Sequence, residues 1–275
     1  MPEERAVALG HVLWVGGPPG GGKTSVATRI ARRHGLRLYS ADTRTWQHRD
    51  RALRDGSAAA RRWEAMTLER RWAGSTPQEM LEGSLHRERG PMLVDDLRAL
   101  PDSPLVVAEG STLPAWALTC GIAERSRAVW LLPTRRFQQA ALADQGVPPG
   151  PAALYRLLGE TIEREAREHD APVLPVDGSR GLQQMVAAVE QRFAEALAEG
   201  PRAAMPAERR ALLREANQAV AAQVRGYYGR PWATGDAEAV VRAFLCECGD
   251  PGCEASVPIP VGSLSSGPVL APGHR

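Results

Sequence analysis

The sequence predicts an α/β fold with a five-stranded parallel sheet covered by helices, followed by a small C-terminal helical and cysteine-rich appendage. Three observations favour this class. Five short apolar runs have the composition of buried strands, helical patterns lie between them, and a break rich in proline, glycine and alanine divides residues 1–200 from residues 201–275. Alternating strands and helices are typical of a parallel sheet covered on both faces.

The predicted elements follow one another along the chain. The strand-like runs are residues 11–15, 36–39, 104–108, 128–132 and 172–176. Helical patterns cover residues 25–34, 58–72, 77–89, 135–144, 151–169 and 182–199, and a polar helix covers 207–225. The break at residues 200–206 marks the domain boundary. From residue 257 onward the tail is expected to be irregular or a short hairpin.

Composition limits the class of protein. The 275 residues are 43% hydrophobic and 24% charged, which predicts a globular protein with one main core. A net charge of +2 does not indicate nucleic-acid binding. The N-terminus resembles neither a signal peptide nor a membrane span, and three of the four cysteines crowd into one stretch. We therefore expect a cytoplasmic protein without a membrane partner.

A glycine-rich segment joins the first strand to the first helix. Its spacing matches G-x-x-x-x-G-K-[ST], in which backbone N–H groups surround phosphates, the lysine reaches the β and γ phosphates and the hydroxyl binds Mg²⁺. The segment therefore predicts binding of ATP, or another nucleoside triphosphate, together with Mg²⁺ on Thr24. The predicted binding residues are Gly17, Pro18, Pro19, Gly20, Gly21, Gly22, Lys23, Thr24 and Ser25.

The strand, glycine segment and helix, in a chain of this size, resemble the small P-loop kinases, a group that includes nucleotide, shikimate, gluconate and chloramphenicol kinases. The resemblance covers about residues 9–199. It implies a P-loop NTPase fold and ATP-dependent phosphoryl transfer to a small-molecule acceptor, with Lys23 acting on the phosphates. It also implies an acceptor region between the second and third strands, where Trp46, His48, Trp63 and Trp72 lie.

Two carboxylates are candidates for the acceptor side. In the kinases that the chain resembles, an aspartate just beyond the second strand faces the acceptor hydroxyl, and Asp42 has that position. Glu109 follows the third strand, where ligands of open α/β sheets bind, and resembles the acidic residue of a Glu-Gly turn in several small kinases. It would bind the acceptor or water-coordinated Mg²⁺. The alternative for each carboxylate is a cap or turn.

Arginines follow the fourth strand, where the resemblance implies a lid. Arg135 is the candidate that would neutralise charge on the transferred phosphoryl group. Further arginines at positions 156, 164 and 167 alternate with glutamates at three- and four-residue spacing. A solvated helix face with internal ion pairs is therefore the alternative interpretation for these side chains.

The C-terminal cysteines predict a metal site. Cys246, Cys248 and Cys253 place three thiols within eight residues, and His274 is the candidate fourth ligand of a possible zinc site. Three free thiols are the alternative. The tail resembles a short cysteine motif of uncharacterised actinobacterial proteins, a resemblance that implies no activity.

Two other functions stay open beside the kinase. One is a P-loop ATPase that acts as a regulatory switch, and the other is a nucleotide- and zinc-binding interaction module without turnover. The chain lacks an Asn-Lys-x-Asp segment, which disfavours a GTPase. The acceptor is not readable from the sequence, because one scaffold accepts many acceptors through a few side chains.

Overall fold

A central parallel sheet organises the computed structural model, which describes residues 7–275. The strands are β1 (Val12–Gly16), β2 (Arg37–Ser40), β3 (Val106–Gly110), β4 (Ala128–Pro133) and β5 (Val173–Val176). Their order is β2-β3-β1-β4-β5, and every neighbouring pair is parallel. The five-stranded parallel sheet expected from the sequence is confirmed, with each strand within two residues of its predicted bounds.

Helices connect the strands and cover both faces of the sheet. Before β5 they are α1 (Lys23–His34), α2 (Thr45–Arg54), α3 (Ala58–Glu64), α4 (Leu68–Trp72), α5 (Pro77–Gly83), α6 (His86–Arg98), α7 (Trp116–Thr119), α8 (Arg135–Asp144) and α9 (Pro149–Glu168). After β5 they are α10 (Leu182–Arg192), α11 (Ala194–Glu199) and α12 (Pro206–Tyr228).

Three predicted helices are interrupted in the structure, and α2 was not predicted. Residues 58–72 form α3 and α4, since Thr67 starts α4 by accepting a hydrogen bond from the Arg70 N–H. Residues 77–89 divide at Leu85, which has φ 57° and packs into a small core with Ala60. Burial of this leucine outweighs the local helical preference. Residues 182–199 divide into α10 and α11 around Phe193.

Side chains that alternate along the strands build two cores. On one face Trp14 of β1 packs with Leu93 of α6 and Leu154 of α9. On the other face Leu131 of β4 packs with Val26 of α1 and with residues of α10. Because all five strands are parallel, their carboxyl ends meet along one edge of the sheet. That edge brings together the segments that follow β1, β2 and β3.

The C-terminal appendage packs on the sheet domain beside β2, one of the two edge strands. Its α12 contacts β2, α2 and the 3₁₀ turn Ala41–Arg44. Strands β6 (Val241–Leu245) and β7 (Ser256–Pro260) form an antiparallel pair, so the tail that was expected to be irregular or a short hairpin begins with one strand of a hairpin, and the other strand precedes the cysteines. Phe244 and Val224 belong to a third core under this hairpin. Among the described helices, none is long and apolar enough to cross a membrane.

Asn217 of α12 holds the hairpin in place and offers a test of this packing. Its side chain donates to the Leu245 carbonyl at 2.9 Å and to Glu247 at 2.7 Å, and accepts from the Leu245 N–H at 2.8 Å. Asn217→Ala leaves these buried groups without partners, which we expect to cost about 2–4 kcal/mol of unfolding free energy. Denaturant unfolding measures the loss. The exposed neighbour Gln218 provides the control Gln218→Ala, and equal stability of both variants would contradict the packing described.

Candidate active site and metal centre

The glycine loop, residues 17–24, follows β1 at the carboxyl edge of the sheet and includes the first two residues of α1. From β1 the chain moves to β2 on one side, and from β4 it moves to β5 on the other, so the loop lies at a topological switch point. Gly17 has φ 129°, and a Cβ there would lie 2.2 Å from the Leu131 carbonyl oxygen. Only glycine fits this close approach. Gly22 is the N-cap residue of α1 and has no side chain to accept a hydrogen bond from the first turn. The first N–H groups of α1 are therefore open to a ligand.

Lys23 lies at the start of α1 and is buried. Its Nζ donates to the Pro18 carbonyl at 2.9 Å, so the side chain folds back across the loop. Burial lowers the pKa of Lys23, and the negative charges of Glu109 and Asp42 oppose that decrease. The ammonium group therefore lies within the electrostatic reach of both carboxylates predicted from the sequence.

Glu109, near the end of β3, is fully buried beside the glycine loop. The parallel pairing places it opposite Val15 of β1 and Ser40 of β2. Its Oε2 accepts from the Thr24 hydroxyl at 3.0 Å, and its Oε1 accepts from the Ser40 hydroxyl. Burial and the nearby Asp42 raise the pKa of Glu109, while Lys23 and the two hydroxyls oppose the increase. The carboxylate is held in place and makes no helix cap.

Asp42 lies in the 3₁₀ turn directly after β2 and is exposed. Within residues 7–275 its carboxylate makes no hydrogen bond, whereas its carbonyl accepts from the Thr45 hydroxyl. The charge of Asp42 opposes the decrease in the pKa of buried Arg89, as it does for Lys23. The side chain is therefore not used as a cap and remains accessible to a ligand.

A cleft of about 660 Å³ runs beside these groups. Lys23, Thr24 and Asp42 line it together with Trp46 and Trp72, which the sequence placed in the acceptor region. The two other residues predicted there do not line it. His48 is buried with its Nε2 3.0 Å from Asp96, and the buried Trp63 packs edge-on against Trp72.

Arg135 is not brought into this cleft. Its side chain is 90% exposed and lies 3.0 Å from Glu160 of α9. It lines a separate pocket of about 170 Å³ that includes Pro18 of the glycine loop and Arg156. Two other arginines of α9 form ion pairs within that helix, Arg164 with Glu168 and Arg167 with Glu163, as the alternative interpretation predicted.

Several cleft residues were missed by the sequence interpretation. Arg49 of α2 and Arg89 of α6 are buried and line the cleft, and the sequence interpretation assigned no role to either. Ser111 and Thr112 directly follow the end of β3, and their position could have found them. Gln223 comes from α12, and only the packing of the appendage places it in the wall of the cleft.

The three clustered cysteines and His274 meet in the appendage, as predicted. Their ligand atoms all lie within 4.8 Å of one another, and the His274 Nδ1 is 3.5 Å from the Cys246 Sγ and 3.6 Å from the Cys253 Sγ. Tetrahedral zinc, with Zn–S near 2.3 Å and Zn–N near 2.05 Å, places such S and N atoms about 3.6 Å apart. The Cys₃His cluster could therefore bind a metal such as zinc.

Arg32 of α1 ties this cluster to the sheet domain. Its guanidinium donates to the carbonyls of Cys246 and Ala255 at 2.8 and 3.0 Å, and lies 3.3 Å from the Cys253 Sγ. Burial raises the pKa of Cys253 to about 11 without a cation, and the Arg32 charge opposes the increase. A bound metal ion would favour the thiolate instead.

No family model matches the chain, and no curated protein matches it. Among solved structures it is similar to the crystal structure of TT1252 from Thermus thermophilus, with 19% identity and a TM-score of 0.40 over 67% of this chain and 96% of that one. A likeness at this level supports no statement about activity. The resemblances to small P-loop kinases and to the actinobacterial cysteine motif therefore stay predictions.

Metal analysis of the purified protein tests the cysteine cluster. We expect one zinc ion per chain, and we expect Cys253→Ser and His274→Gln to lose most of it, because each removes one of four ligands. Cys120 is exposed and distant from the cluster in sequence, so Cys120→Ser is the matched control and should keep the metal. A wild-type chain without stoichiometric metal would show that the four residues are free side chains.

Proposed function

We propose that this chain is an ATP- and Mg²⁺-dependent phosphotransferase that acts on a small-molecule acceptor. The observation that carries the proposal is the convergence of Lys23, Thr24 and Asp42 in one cleft, with Glu109 buried directly behind it and in contact with Thr24. These four side chains come from three segments of the chain that meet only because β1, β2 and β3 are parallel neighbours. Each supplies a different group that phosphoryl transfer requires.

The glycine loop would hold the phosphates of the donor. Backbone N–H groups of the loop and the open N-terminus of α1 attract anions, since the helix dipole adds partial positive charge there. Lys23 adds a full positive charge. Its present partner is the Pro18 carbonyl, a neutral acceptor that phosphate oxygens would displace favourably because hydrogen bonds between charged groups are stronger.

Thr24 and Glu109 are the residues that would hold Mg²⁺. The hydroxyl oxygen of Thr24 and the carboxylate of Glu109 are in direct contact, and oxygen ligands of this kind suit a hard divalent cation. The raised pKa of Glu109 favours its neutral form when no cation is bound. A cation beside Glu109 would instead stabilise the ionised form. When bound, the ion neutralises charge on the transferred phosphoryl group.

Asp42 would act on the acceptor. Its exposed carboxylate can orient an acceptor hydroxyl and take its proton as the new oxygen–phosphorus bond forms and the bond from the γ phosphorus to ADP breaks. The proton then passes from Asp42 to solvent. The products are ADP and the phosphorylated acceptor. Trp46 and Trp72 offer apolar walls to the acceptor in the same cleft.

Transfer of label from γ-labelled ATP to a panel of small hydroxylated compounds tests this function. We expect labelling of at least one acceptor by the wild-type chain. Lys23→Ala should lower the rate at least 100-fold through loss of phosphate charge, and Asp42→Asn should lower it about 10²–10⁴-fold through loss of the base.

Asp55→Asn is the matched control, since Asp55 is an exposed aspartate beside the end of α2. It should leave transfer unchanged. ATP hydrolysis that no acceptor accelerates, with Asp42→Asn as active as wild type, would contradict the kinase and favour an ATPase switch. Tight nucleotide binding without turnover would favour an interaction module.

A further inference from the structure

Two buried arginines give the cleft an excess of positive charge beyond that of Lys23. Arg49 on α2 is 3% exposed, Arg89 on α6 is 5% exposed, and both line the cleft. The only carboxylate among the lining residues is Asp42. A buried charge is retained at a large desolvation cost unless a partner neutralises it. The partners of each guanidinium therefore decide whether a ligand is needed.

The partners of Arg49 within the described chain are incomplete. Its Nη2 donates to the Gly83 carbonyl, whereas Nη1 and Nε are buried and make no hydrogen bond to residues 7–275. The nearest carboxylate, Glu64, lies 3.6 Å from the Arg49 Nε, beyond hydrogen-bond distance. Glu64 is also shared with buried Arg71 at 3.9 Å and accepts from Trp232 at 2.7 Å. One carboxylate thus serves two buried cations.

The surrounding charges increase this imbalance. Burial lowers the pKa of Arg49 to about 10, Glu64 opposes the decrease, and Arg230, Arg71 and Arg89 each add to it. Of these neighbours, Arg230 has its own partner in Asp50 at 2.6 Å. Arg89 donates to the His48 ring and to the Ala41 carbonyl, so its guanidinium is fixed in orientation, but no carboxylate of residues 7–275 lies at contact distance from it.

Two hydroxyl groups complete a set of donors that lines the cleft. Ser111 and Thr112 follow β3 directly and are 7% and 6% exposed. In the part of the chain that the structure describes, neither hydroxyl oxygen has a hydrogen-bond partner. Buried hydroxyls normally find one. A guanidinium with spare N–H groups and two spare hydroxyls together suit a ligand that has several acceptor oxygens and negative charge.

We propose that the acceptor carries an anionic group, a carboxylate or a phosphate, which binds Arg49 with support from the charge of Arg89 and the hydroxyls of Ser111 and Thr112. The identification of the ligand as a phosphoryl acceptor rests on the proposed function. The anion subsite itself does not require turnover. The group binds reversibly, and no covalent step takes place there.

Calorimetric titration of the full chain with inorganic phosphate and with malonate tests the subsite and distinguishes the two kinds of anion. The glycine loop is first saturated with a non-hydrolysable ATP analogue and Mg²⁺, and the same titrations are repeated on Lys23→Ala without nucleotide. We expect saturable binding of at least one anion in both preparations. Arg49→Gln should weaken it at least tenfold, and Arg49→Lys should weaken it less, because charge is kept while the planar fork is lost.

Arg54→Gln is the matched control, since Arg54 is an exposed arginine of the same helix. It should leave anion binding unchanged. Thr112→Val keeps the shape of the side chain and should weaken anion binding severalfold. This variant tests the anion subsite independently if Arg49→Gln does not fold. No saturable binding of either anion, or equal binding in wild type, Arg49→Gln and Thr112→Val, would overturn the subsite. Failure of the ATP analogue to bind would contradict the proposed function alone.

Discussion

The contact between the Thr24 hydroxyl and the Glu109 carboxylate is the interaction on which the candidate site depends. It joins the first turn of α1 to the end of β3 and exists because β3 pairs with β1 in parallel register. A fully buried carboxylate is unfavourable unless hydrogen bonds or cations stabilise it. Ser40, at the end of the neighbouring strand β2, and Lys23 and Thr24, at the start of α1, supply such stabilisation. The same arrangement leaves Asp42 exposed beside them.

The appendage is part of this arrangement and not a separate attachment. Through α12 it supplies Gln223 to the wall of the cleft, and through Trp232 it supplies a partner for Glu64, the carboxylate that Arg49 and Arg71 share. On its other side, the Cys₃His cluster is hydrogen-bonded to Arg32 of α1, the helix that begins at Lys23. The charge balance of the cleft and the position of the Cys₃His cluster thus both depend on the packing of residues after 200.

The features that local sequence patterns encode were predicted from the sequence. The strands were readable from apolar runs, and the glycine loop was readable from its spacing. Glu109 was readable because parallel strands place the residues at their carboxyl ends along one edge of the sheet. The four candidate metal ligands were readable from residue type. Arg49 and Arg89 were not, because arginine is a residue type that is usually exposed, and their burial follows from packing between distant segments. Leu85 was not predicted for the same reason. Its left-handed conformation interrupts a continuous helical pattern, and its side chain is buried in a small core formed by other segments.

The most direct test of the account is whether a divalent cation binds between Thr24 and Glu109 when nucleotide is present. Mn²⁺ can replace Mg²⁺ and is detected by electron paramagnetic resonance, while its preference for oxygen ligands keeps it from competing well for a thiolate-rich site. With a non-hydrolysable ATP analogue, we expect one bound Mn²⁺ per wild-type chain and at least tenfold weaker binding in both Thr24→Val and Glu109→Gln. Wild-type chain that binds no Mn²⁺ with the analogue, or undiminished binding in both variants, would contradict it.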